Sequence, residues 1–172
     1  MKPIEPKPVK LFCGILYSEK RILQKAVKSL TDIFGNVDYN SSSFLFEVTD
    51  YYVQEMGEPI FRIFYSFENL INPAQLVQIK LECNEIEDKL AIAGKRKVNL
   101  DPGYMDYDKI VLASFKYNAQ KVYLNKGIYA DVTMYYRKGR FIPSEWCFPD
   151  FKNGIYEKDF LEIRARYKKQ IR

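Results

Sequence analysis

Residues 9–17 read Val-Lys-Leu-Phe-Cys-Gly-Ile-Leu-Tyr. Side chains alternate between the two faces of a strand, and here both alternating sets are apolar. A strand of that kind needs a layer on each face, so the run predicts a central strand over 9–17. The chain around it must supply strands for both edges and cover for both faces. Ser18 is suited to cap a helix, and Ile22, Leu23, Ala26, Val27, Leu30, Ile33 and Phe34 then recur at helical spacing, with Gly35 as a stop. Residues 36–43 are polar and read as a loop. Residues 43–51 alternate, with Phe44, Phe46 and Val48 on one side and Leu45, Glu47 and Thr49 on the other, which predicts a strand. Asp50 caps a short helical turn closed by Gly57, and residues 59–67 form the next strand.

Asn72, Pro73 and Gln75 form a capping-box pattern with proline at the first helical position. Leu76, Ile79, Cys83, Ile86, Leu90 and Ala93 follow as an apolar stripe ended by Gly94, so a helix is expected over 73–93. Residues 98–100 form a short strand running into Asp101-Pro102-Gly103-Tyr104. Pro102 presets φ for the first central position of a turn and Gly103 supplies φ > 0 for the second, which predicts a type II turn. Residues 110–116 read as a buried segment. Residues 121–124 and 128–137 form a hairpin across Asn125-Lys126-Gly127, a second tight turn spans 137–140, and a helix runs over about 156–171 with Phe160, Ile163, Tyr167 and Ile171 on one face. The first hundred residues thus follow the β-α-β-β-α-β order of a ferredoxin-like unit. The fold class expected is α+β: a single domain over 1–172 with a ferredoxin-like first part, a C-terminal antiparallel meander and a final helix, residues 1–8 being a flexible arm.

Composition removes several chemistries. There is no histidine, so Ser-His and Cys-His nucleophilic pairs are excluded and any general base is a carboxylate, Lys, Tyr or Cys. Cys13, Cys83 and Cys147 are too few for a structural zinc site and contain no CxxC, so no metal site is assigned. No P-loop, GxGxxG or HExxH pattern occurs. No apolar run approaches the length of a membrane span, and the first residues lack the apolar core of a signal peptide, so no membrane partner and a cytoplasmic location are expected. No cofactor is assigned, and whether the chain is an enzyme stays open. Of a net charge of +5, residues 162–172 carry about +4, with Arg164, Arg166, Lys168, Lys169 and Arg172 against Glu162. That tail is either a solvated helix face or a contact for RNA phosphates.

Two segments offer groups for a ligand. In the hairpin strand, Ile128, Ala130, Val132, Met134 and Tyr136 suit a core, while Tyr129, Asp131, Thr133, Tyr135 and Arg137 place rings, a carboxylate and a guanidinium on alternate residues. Stacking surface, acceptor and charged donor fit a planar or phosphorylated ligand; the plain alternative is a solvated sheet face. Asp101 and Tyr104 meet at the end of the 98–100 strand, downstream of Lys97. The expected site is therefore Lys97, Asp101, Tyr104, Tyr129, Asp131, Tyr135 and Arg137, around one concavity that takes a small anionic or nucleotide-like ligand. In an enzyme, Asp131 or Asp101 is the base or a metal ligand. The alternatives are an RNA-binding accessory protein and a protein-interaction module. Glu47, Thr49, Asp50, Tyr51, Tyr52 and Glu55 form a second group at a strand end and the turn after it; Glu47 and Asp50 would meet Asp101 and Asp131 around a hard cation only if the sheet brings them together, and the plainer reading is a helix cap and exposed acids.

Residues 49–57 (TDYYVQEMG), 99–104 (NLDPGY) and 126–133 (KGIYADVT) together resemble the prokaryotic family called domain of unknown function 4416. The resemblance extends over almost the whole chain and implies no established activity. Where the family pattern has a histidine before the hairpin strand, this chain has Gln120.

Overall fold

The computed structural model describes residues 2–118 and 120–172. Strand β1 (Val9–Tyr17) is buried at every position. It pairs antiparallel with β4 (Phe61–Ile71) on one edge and β5 (Val98–Met105) on the other. Its one charge, Lys10, is fully buried and held by Asp38 and by Gln170 at 2.7 Å, and burial pulls its ammonium below the ordinary lysine range. The other strands are β2 (Val37–Asn40), β3 (Phe44–Leu45), β6 (Lys109–Ser114), β7 (Val122–Asn125), β8 (Ile128–Arg137) and β9 (Arg140–Pro143). They form a single nine-stranded antiparallel sheet in the order β2-β4-β1-β5-β6-β8-β7, with β3 on β4 and β9 on β8. The architecture is α+β.

Helices α1 (Lys20–Phe34) and α3 (Leu76–Lys89) cover one face. There Leu11, Cys13, Ile15 and Tyr17 of β1 pack against Leu23, Ala26, Leu30, Ile79, Cys83 and Ile86. Helices α4 (Pro149–Lys152) and α5 (Glu157–Gln170) cover part of the other face, where Phe12, Phe64, Phe151, Tyr156 and Phe160 form an aromatic cluster. Helix α2 (Val53–Met56) closes a smaller cluster of Leu16, Phe46, Met56 and Ile60. Among the described residues no helix is long and apolar enough to cross a membrane.

Several local expectations are met. The capping box at Asn72 and Gln75 is formed, and both hairpin turns place a Lys-Gly pair in the left-handed region. Others are corrected. Ser18 does not cap α1; its hydroxyl donates to the Met56 carbonyl at 2.6 Å. The polar residues 37–40 are β2, which an edge position allows without an apolar face. Only Phe44 and Leu45 of residues 43–51 pair, and Thr49, not Asp50, caps the turn, its hydroxyl accepting from Tyr51 N. Helix α3 stops at Lys89; Ala93 and Gly94, both at positive φ, turn the chain back between Ile92 and Lys95.

The type II turn at Asp101-Pro102-Gly103-Tyr104 does not exist. Strand β5 runs straight through these residues, with Pro102 opposite Cys13. Leu100 gives its N–H to Glu87 and its carbonyl to Lys80, so its pair with Ile15 is the non-hydrogen-bonded kind. By alternation Pro102 is too, and its nitrogen faces away from β1, where β6 is not yet paired. Gly103 is required for closeness instead of turning: a Cβ there would lie 2.5 Å from the Val111 carbonyl oxygen of β6.

The alternation assumed for residues 128–137 is also broken. Ile110 pairs with Met134 and Val111 with Val132, so Thr133 is the extra residue of a bulge. Ile128, Ala130 and Val132 pack with Leu76 and Val111 on the α3 side, whereas Met134 and Tyr136 pack with the aromatic cluster opposite.

Candidate functional site

Strands β5 and β6 are paired only over Gly103–Met105 and Ile110–Leu112. Beyond Leu112 the two strands part, and a cavity of about 440 Å³ opens between them. Its floor is ionic, and each cation arrives from a different element.

Arg62 of β4 has only 4 % of its side chain exposed. It lies on the face of β1 that carries Gly14, whose missing Cβ would sit 3.4 Å from Arg62 Nη1 and 3.0 Å from Phe64 Cε1. The guanidinium is sandwiched among the rings of Phe46 (4.9 Å), Phe151 (5.6 Å) and Phe64 (6.0 Å). Its Nε lies 3.0 Å from Asp150 Oδ2, behind the cavity, in an ion pair whose angle does not make a hydrogen bond. Its Nη1 lies 3.7 Å from Asp101 Oδ2.

Lys80 reaches through the sheet from α3. It donates to the Leu100 carbonyl at 2.8 Å, and its Nζ sits 3.7 Å from Asp101 Oδ1 and 5.3 Å from the Phe115 ring centre. Glu87, two turns further along the same face of α3, accepts from Leu100 N, and burial raises its carboxyl above the ordinary glutamate range. Together Lys80 and Glu87 replace the strand neighbour that β5 lacks at Leu100. Asn99 fixes Asp101 with a 3.0 Å bond to Oδ2.

One wall carries Asp131 of β8 and Lys121, just before β7, paired at 3.4 Å with both side chains nearly inaccessible. Lys121 donates to Ser114 Oγ at 3.0 Å, and Gln120 donates to Asp131 Oδ1 at 3.1 Å. At the other side Arg96 grips Glu55 with two bonds of 2.8 Å, which hold the Glu55 carboxyl below its ordinary range. Tyr52 lines the same wall, its phenol pushed up to about 12 by burial and then by the charge of Asp101.

The mouth is apolar. Tyr51, Phe115 and Phe148 come from three separate segments, all line the cavity, and are 59 %, 44 % and 47 % exposed. Lys116 stacks over Tyr51 at 4.1 Å. Large rings left half in water around an ionic floor are a costly surface for a chain to keep without a ligand.

Of the residues expected from the sequence, Asp101 and Asp131 share this cavity. The others lie apart from it. Lys97 donates to the Glu55 carbonyl at 3.4 Å. Tyr104 is on the opposite face of β5, packed in the α1/α3 core, because its alternation from Asp101 is odd. Tyr129 packs between Tyr117 and Tyr123, with ring centres at 5.6 and 5.4 Å. Tyr135 and Arg137 lie beyond the Thr133 bulge on the surface, the guanidinium 6.0 Å from the ring. Asp131 itself is buried, not solvated. Glu47 and Asp50 line a separate surface hollow with Glu58.

In the basic helix, Arg164 donates to the Tyr107 carbonyl at 2.9 Å and covers the Tyr136 ring at 3.5 Å. Arg166 pairs with Glu162 at 3.1 Å. Two of the five tail cations are thus engaged within the fold, while Lys169 and Arg172 are exposed.

The groups that the sequence did not single out are Arg62, Lys80, Lys121 and two of the three rim rings, Phe115 and Phe148. Arg62 had a visible signal, a lone cation in the apolar run PIFRIFYSF. Lys80 and Glu87 fall at helical spacing beside Leu76 and Cys83, so charges on a buried stripe were the second signal.

No curated protein matches the chain, and no solved structure does. The family model described as Domain of unknown function (DUF4416) matches residues 7–167, and the chain belongs to that family.

Proposed function

We propose that the protein binds a small ligand carrying a flat ring and an anionic group in the cavity between β5 and β6. The observation that carries this reading is Arg62: a guanidinium nearly out of water, neutralised from behind by Asp150, that meets the cavity with no hydrogen bond among the described residues. A desolvated cation with unspent donors favours an anion strongly. Tyr51, Phe115 and Phe148 offer the ring its faces. Asp101 holds Arg62 and Lys80 toward one another, and Asp131, positioned by Gln120 and Lys121, accepts a polar group of the ligand. The strand order β2-β4-β1-β5, with α1 and α3 on one face, supports reading the first hundred residues as a ferredoxin-like unit. In that reading the cavity lies at the β5 edge, where β6–β9 are added.

A thermal-shift panel tests the proposal. Ring-bearing anions, represented by benzoate, phenyl phosphate and the nucleoside 5′-monophosphates, should raise the melting temperature. Acetate and neutral rings should not. Combining Tyr51→Ala with Phe115→Ala should remove the response while changing stability by under about 1 kcal/mol, because both rings are half exposed. A panel without a ring-bearing hit, or hits unaffected by the double substitution, would remove this cavity as the site.

A further inference from the structure

We infer that the anion taken by this cavity is a phosphoryl group, so that its ligands are phosphomonoesters of ring-bearing compounds; the inference rests on the proposed ring-and-anion site. Arg62 and Lys80 approach opposite oxygens of the same carboxylate, Asp101, each at 3.7 Å. Neither distance makes a hydrogen bond. The terminal amino groups of Arg62 therefore keep all their N–H donors. Lys80 spends one donor on the Leu100 carbonyl and keeps the rest. Both side chains are more than nine-tenths buried, and both line the cavity.

The number and direction of these donors select among anions. The fork of a guanidinium is satisfied by two oxygens, which a carboxylate supplies alone. Here a second cation enters from a different direction, through the sheet from α3, and faces the other oxygen of Asp101, so an anion seated beside Asp101 on the cavity side meets both heads. A planar carboxylate engaged by the fork has no third oxygen for that ammonium. A terminal phosphoryl group is tetrahedral and carries three oxygens, two for the Arg62 fork and one for Lys80.

The geometry also orients the ester. Phe115 lies 5.3 Å from Lys80 Nζ and reaches the mouth. A phosphoryl on the floor therefore directs its ester oxygen toward the Phe115 and Tyr51 rings, where a heterocycle stacks.

Matched pairs of probes test this by calorimetry: phenyl phosphate against benzoate, and each nucleoside 5′-monophosphate against its nucleoside. The phosphorylated member should bind at least ten-fold more tightly. Lys80→Met should erase most of that difference, a loss on the order of ten- to a hundred-fold for a charge-assisted bond. Arg62→Lys keeps the buried charge and its Asp150 partner while removing the fork, and should give the same loss with the fold retained. It also guards against Lys80→Met failing to fold. The ³¹P resonance of phenyl phosphate should shift on binding to the wild type and much less with Arg62→Lys. Equal affinity for phenyl phosphate and benzoate overturns the phosphoryl assignment and leaves the ring-and-anion site standing. No binding of any probe overturns both.

Discussion

The two faces of β1 are equally buried and chemically opposite. On the α1/α3 face, Leu11, Cys13, Ile15 and Tyr17 meet a dry apolar layer. On the other face, Phe12 enters the aromatic cluster, but Gly14 gives way to Phe64 and the Arg62 guanidinium, and the cavity begins nearby. Arg62, Asp150, Lys121 and Asp131 lie out of water on that side, and Lys80 and Glu87 join them at the cavity from α3 on the other. An apolar layer of the same volume would be as stable or more so, since desolvating ions costs more than weak pairing returns. The first face holds the fold together. The second keeps charges that stability alone does not require, and such exceptions concentrate where ligands bind.

The largest expected effect comes from uncoupling that ionic floor. Asp150→Ala leaves the buried Arg62 with Asp101, 3.7 Å away, in place of its nearer counter-ion and strips the Tyr156 hydroxyl of its 2.9 Å acceptor. It should cost about 3 to 5 kcal/mol in denaturant unfolding. Replacing both partners, Arg62→Met with Asp150→Leu, should recover most of that loss, the unpaired Tyr156 hydroxyl still costing about 1 to 3 kcal/mol, while abolishing the response to ring-bearing anions. A double variant as unstable as the single one would make the pair structural, and the contrast between the two faces would fail.

On the apolar face, Ile15→Ala should cost about 2 to 5 kcal/mol, because Ile15 is wholly buried and its site cannot collapse between two helices and the sheet. Ligand-induced stabilisation should survive unchanged once corrected for the lower baseline. A selective loss of binding at unchanged stability would instead couple this face to the cavity.

What could be read from the chain follows the range of the forces involved. Strand β1, helix α1, the Asn72 cap and the two Lys-Gly hairpins are set by neighbours within a few residues, and each was legible. Strand β5 was not, because Asp-Pro-Gly is turn chemistry locally. Pro102 is tolerated mid-strand only because β6 leaves its nitrogen unopposed. The Thr133 bulge depends on the register of β6, which the 128–137 segment does not contain. Asp101 and Asp131, which line the cavity, were legible as candidates because each stands out against its own strand. Their partners were not: Lys80 belongs to α3 on the far side of the sheet, and Asp150 follows the last strand. Only the opening between β5 and β6 brings Lys80 to Arg62.

The smallest expected effect is spectroscopic, and it measures how strongly the floor acts on its own wall. Tyr52 titrates at about 12, first because it is buried and then because Asp101 repels its phenolate, with Arg62 and Arg96 acting in the opposite sense. Its unfolded value is 10.0. The folded phenol therefore holds its proton where the unfolded chain releases it. The stabilisation is complete below pH 10 and is lost as pH rises from 10 toward 12. In Asp101→Asn the absorbance change at ~295 nm assigned to Tyr52, by difference from Tyr52→Phe, should move to lower pH without reaching 10, since burial is the larger cause. Tyr52→Phe should also lose less stability between pH 10 and 11 than the wild type. An unmoved Tyr52 titration would mean that Asp101 is screened from the wall it lines, leaving Arg62 and Lys80 to set the field of the cavity alone.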